Sequence, residues 1–143
     1  MKKIIYTLAI VLIVHCTIKV ENCMSQWVQT SNGMYGSNVC CFAVSGTNIF
    51  TGTEGGVFLS TNNGTNWTAV NNGLTDLNVR SLVALGTNIF AGIEGFGVFL
   101  TTNNGTNWTA VNNGLTNLYI NSFAVSGTNI FAGTDGGVFI STN

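Results

Sequence analysis

Ser60-Thr61-Asn62-Asn63-Gly64-Thr65-Asn66-Trp67-Thr68-Ala69-Val70-Asn71-Asn72-Gly73-Leu74 is the stretch on which the fold turns. It returns from Thr101 to Leu115 with a single change, Thr101 in place of Ser60. A second motif keeps the same step: Ser45-Gly46-Thr47-Asn48-Ile49-Phe50 returns as Leu85 to Phe90 and as Ser126 to Phe131. Trp27, Trp67 and Trp108 mark one position three times, and the spacing lengthens once, by Phe96 in Glu94-Gly95-Phe96-Gly97. A period near 40 residues, with turn signals every ~8–12 positions, indicates a solenoid or a propeller.

Each unit reads as four short strands. In the second copy Val79 to Leu85 is largely apolar, as a strand covered on both faces should be. Gly86-Thr87-Asn88 turns the chain into Ile89-Phe90-Ala91, and Glu94 to Gly97 turns it again into Val98 to Thr101. Asn103-Asn104-Gly105 is the third turn, where Asn-Gly supplies the positive φ angles of a tight hairpin. Trp108 to Val111 is the outer strand. After the N-terminal residues no apolar helical period lasts ten residues, and Thr, Asn and Gly are poor helix formers. The expectation is an all-β chain of propeller blades, each of four antiparallel strands.

Strand counting predicts a Trp27 strand as the fourth of a blade and Val138 to Ser141 as a third. That gives blades at 39–78 and 79–119, with a split blade of 26–38 plus 120–143. About three blades fall short of the roughly 4–8 in natural rings. The expectation is therefore an incomplete ring, either a fragment of a longer propeller or a unit that self-assembles into a larger one.

Composition excludes several activities. Only 6% of the 143 residues are charged, and from Gln26 onward Arg80 is the one basic residue against Glu54, Asp76, Glu94 and Asp135. One Arg cannot neutralise a run of phosphates, so nucleic-acid binding is not expected. That segment has no His and no Lys. It cannot build a Ser-His-Asp triad, a Schiff base, a P-loop or a His-ligated zinc site. Without clustered carboxylates calcium is not expected either, and the sequence implies neither metal nor cofactor.

Met1-Lys2-Lys3 followed by Ile4 to Val14 has the form of a secretory leader, with cleavage expected before Gln26. The apolar run is shorter than the roughly 20 residues of a membrane span. Residues 1–25 are thus read as a signal peptide and the protein as secreted or held at the cell surface. An uncleaved anchor or a lipidated Cys16 are the alternatives. Cys16 and Cys23 leave with the leader. Cys40-Cys41, adjacent on a strand, point to opposite faces and are read as buried small hydrophobes, not a redox pair.

At Ser60 to Trp67 the chain resembles the Asp-box, or bacterial neuraminidase repeat, with pattern Ser/Thr-x-Asp-x-Gly-x-x-Trp. Thr101 to Trp108 matches again and Ser141-Thr142-Asn143 begins a third copy. Asn62, Asn103 and Asn143 stand where Asp is usual; the amide can still accept from turn N–H groups. The resemblance implies a propeller of the kind seen in sialidases, sortilin-like receptors, photosystem II assembly factors and secreted bacterial repeat proteins. It implies a structural role for Ser60, Asn62, Gly64, Trp67, Thr101, Asn103, Gly105 and Trp108. Sialidases clamp their substrate with three Arg, which this chain lacks.

No catalytic residue is therefore expected. Strand alternation places the Gly-Thr-Asn turns and the Asp-box turns at one end of the blades. The turns at Glu54, Glu94 and Asp135 lie at the other, with the longer links 31–38, 71–78 and 112–119. Longer, varied loops on a rigid scaffold usually carry binding. Tyr35, Glu54, Asp76, Glu94, Phe96, Tyr119 and Asp135 form the candidate contact face for a protein or glycan. The expected function is a non-enzymatic scaffold; the alternative is part of a sialidase-like glycoside hydrolase whose catalytic residues lie outside this chain.

Overall fold

Short, glycine-bearing turns fold each repeat into a meander. A computed structural model describes residues 27–34 and 38–142. Strands β1 (Val39–Ser45), β2 (Asn48–Thr53), β3 (Gly56–Ser60) and β4 (Thr68–Ala69) form one antiparallel sheet in that order. The second sheet is β5 (Val79–Leu85), β6 (Asn88–Ile93), β7 (Gly97–Thr101) and β8 (Thr109–Ala110). The third is β9 (Ile120–Ser126), β10 (Asn129–Thr134) and β11 (Gly137–Ser141). The described residues contain no helix. The first two are the expected four-stranded blades; the third has three strands among the described residues.

The sheets lie side by side, with the first strands β1, β5 and β9 as neighbours. Two apolar layers join them. Ala43, Phe50 and Val57 of the first sheet meet Val79, Leu82 and Ile89 of the second. Phe90 and Val98 of the second meet Ile120 and Ile130 of the third. Every blade thus presents one apolar face forward and one backward. The blades cohere through this core, at about 25 cal/mol for each Å² of apolar surface removed from water.

Three expectations change. Residues 27–34 carry no strand, and no described residue among them pairs with β11; the segment lies instead against the Trp67 hairpin of the first sheet. An isolated segment without a ladder partner has no reason to become a strand. The outer strand foreseen from Trp108 to Val111 contracts to Thr109–Ala110, because β7 pairs with it only at Phe99↔Ala110 and Leu100↔Thr109. Cys40 is exposed and Cys41 half-buried, where both were expected to be buried. The ladder skips from Val39 to Cys41, leaving Cys40 in a β-bulge that turns it outward.

Candidate functional site

The hairpin end is built around two buried hydroxyls. Ser60 Oγ donates to Asn62 Oδ1 (3.0 Å) and accepts the Gly64 N–H (2.9 Å); Asn62 Oδ1 also accepts the Asn66 N–H (2.9 Å). Thr101 repeats this on Asn103 (2.8 Å) and Gly105 (3.0 Å), and Asn103 Oδ1 accepts from Asn107 (3.0 Å). Asn62 and Asn103 serve as amide acceptors, as the sequence suggested. Asn63 and Gly64 have φ of 53° and 81°, the left-handed conformations that explain Asn-Gly at this turn. The indoles of Trp67 and Trp108 then donate to the preceding segment, at Thr30 O (3.0 Å) and Val70 O (2.7 Å).

The loop end carries the candidate contact residues, each acid pinned within its own blade. Glu54 accepts from Asn38 Nδ2 (3.1 Å), and Asp135 accepts from Asn121 Nδ2 (2.7 Å). Glu94 accepts from Asn78 Nδ2 and faces Arg80 Nε at 3.3 Å. Asp76 accepts the backbone N–H of Asn78 (2.9 Å), closing a local turn. The structure brings the loops of Phe96 and Tyr119 together: Gly97 N–H donates to Leu118 O (3.1 Å), and a Cβ built on Gly95 would meet the Tyr119 ring at 3.8 Å. Phe96 is 43% and Tyr119 51% exposed. Tyr35 lies outside the described residues, as do residues 1–25.

Asn38, Asn78, Asn121 and Arg80 went unnoticed as partners in the sequence. The signal was present: Cys40, Arg80 and Asn121 share one repeat position, and all three are skipped by the strand ladder. A bulge there aims Arg80 and Asn121 at the acid of the next turn. Among the described residues no three His, Cys, Asp or Glu side chains gather as a metal group. Burial pushes the Cys41 thiol up to about 11, so it stays neutral at ordinary pH.

A family model for the DUF6242 beta propeller domain matches residues 14–132. The chain belongs to this family. No curated protein matches this DUF6242 chain. Among solved structures it resembles an ancestral GH74 enzyme, with 24% identity and a TM-score of 0.60 over 74% of this chain and 17% of that one. The extracellular domain of a hybrid two-component system from B. thetaiotaomicron gives 21% and 0.57, over 72% and 15%. YCF48 bound to D1 peptide gives 13% and 0.63, over 78% and 40%. This DUF6242 chain therefore spans less than half of each of these proteins, and the likeness is one of fold.

Proposed function

We propose that this protein is a secreted or cell-surface propeller scaffold without enzymatic activity, whose loop end binds a segment of another protein or a glycan. One observation carries the reading: Phe96 and Tyr119 are half-exposed aromatic residues on two different loops that a backbone hydrogen bond, Gly97 N–H to Leu118 O, holds side by side. Rigid aromatic surface of this kind contributes contact area at low entropy cost. The peptide-bound YCF48 propeller supports a protein segment as ligand. The hairpins at Ser60–Trp67 and Thr101–Trp108 are read as Asp-boxes with amide in place of carboxylate, and their buried hydrogen bonds support a structural role. The leader at 1–25 supports export.

The GH74 likeness keeps the hydrolase reading as the second one, with catalytic residues outside this chain. Against it, glycoside hydrolysis needs two carboxyls facing one bond at about 5–10 Å separation. Glu54, Glu94 and Asp135 instead occupy one repeat position on successive blades, each tied to its own blade. The test is to screen the labelled chain against peptide and oligosaccharide arrays and repeat the strongest binding with Phe96→Ala/Tyr119→Ala. Affinity should fall at least about tenfold, the loss of ~1.4 kcal/mol, with the circular dichroism unchanged. Undiminished binding, or turnover of fluorogenic glycosides by the chain, would overturn the proposal.

A further inference from the structure

Charge divides the two ends of the blades. The described residues hold four acids, Glu54, Asp76, Glu94 and Asp135, and all four stand at the loop end. The turns of the hairpin end carry no formal charge. Against the acids stands one cation, Arg80, and among the described residues it makes the one ion pair, with Glu94.

The aromatic residues of the loop end lie among these acids. Phe96 belongs to the Glu94 turn, and a Cβ on Gly95 of that turn would meet the Tyr119 ring. Asp76 and Glu94 share Asn78, which gives its backbone N–H to the first and its side-chain amide to the second. The Asp135 turn approaches the same loop from the next blade. A Cβ on Gly136 would meet Asn117 at 3.0 Å, and Asn117 Oδ1 accepts the Tyr119 N–H (2.9 Å). Tyr119 thus stands between two turns that each carry a carboxylate.

The repeat itself shows what such a carboxylate takes. Arg80 and Asn121 hold one bulge position, and each faces the acid of its own blade, Glu94 at 3.3 Å and Asp135 at 2.7 Å. A guanidinium brings both a donor and a charge, whereas an amide brings only the donor. Asp135 therefore keeps its charge uncompensated, as does Glu54 beside the amide of Asn38. The chain supplies a cation to one acid of this row and leaves the others to a cation from outside. An exposed ring beside a carboxylate suits a Lys or Arg side chain, whose stem covers the ring while its head meets the charge.

We infer that the loop end selects a basic protein segment. Its apolar residue lies on Phe96 and Tyr119, and its flanking Lys or Arg side chains meet Asp135 on one side and Asp76 on the other. The inference rests on the binding role argued for this face and narrows its ligand to a cationic peptide. Charge of one sign at one end also steers a partner of the opposite sign, an effect that salt weakens.

Three labelled synthetic peptides with one Leu-Leu core, flanked by Lys, Gln or Glu pairs, test it by fluorescence anisotropy. At low salt the Lys peptide should bind at least about tenfold tighter than the Gln peptide, with the margin shrinking as salt rises. Asp135→Asn and Asp76→Asn keep the acceptor oxygen and drop the charge. Each should weaken the Lys peptide about threefold, the scale of one exposed ion pair, and leave the Gln peptide unchanged. Arg80→Ala should tighten the Lys peptide, because Glu94 then joins the uncompensated acids. No binding of the Lys peptide, or binding that ignores these three substitutions, overturns the inference. Equal affinity for the Lys and Gln peptides, lost in Phe96→Ala/Tyr119→Ala, overturns the charge selection and leaves the binding face standing. Tighter binding of a neutral oligosaccharide than of any peptide also overturns it, and assigns the same face to a glycan.

Discussion

At the hairpin end, Ser60–Trp67 and Thr101–Trp108 form the same hydrogen bonds with matching lengths. At the loop end, three blades hold one acid in place with Asn38, with Asn78 and Arg80, and with Asn121. Solvent makes the difference. The hydroxyls of Ser60 and Thr101 are fully buried, so a donor or acceptor lost there has no water to replace it. Glu54 and Asp135 are exposed, and any nearby donor serves. One end is constrained to repeat; the other is free to diverge, and the rings of Phe96 and Tyr119 appear there.

Removing the largest buried group at the constrained end should cost most. Trp108→Ala leaves a cavity among Val57, Val70 and Leu74, and chemical denaturation should show a loss of about 3–5 kcal/mol. Thr101→Ala orphans the Gly105 N–H and should cost about 1–3 kcal/mol, while Thr101→Ser should be nearly silent because Ser60 performs that role one blade earlier. A matched loss for the serine variant would show that the methyl, not the hydroxyl, decides. Arg80→Ala at the loop end should change stability by less than about 1 kcal/mol, since both partners of the Glu94 pair are substantially exposed. A larger loss would place that end under the same constraint as the other.

The sequence made the sheets readable because turn chemistry is local: Asn63-Gly64 and Asn104-Gly105 specify their hairpin wherever they occur. What it concealed was non-local. Trp27 looks like an outer strand by its repeat position, yet a strand forms only where another edge accepts it, and no described strand pairs with Trp27. Cys40 looks buried because the strand around it is apolar, and the bulge that turns it outward leaves no residue-type mark. The pins on the acids were hidden because the third blade has Tyr119 where the other two have Asn38 and Asn78, and moves its amide to Asn121.

The bulge common to β1, β5 and β9 has a consequence for how such repeats diversify. A residue skipped by the ladder contributes no register bond, so it can be exchanged without disturbing the pairing on either side. Thiol, guanidinium and amide already occupy that slot in three successive units. Duplicating a unit and rewriting this single letter alters the rim chemistry while the scaffold beneath is inherited intact.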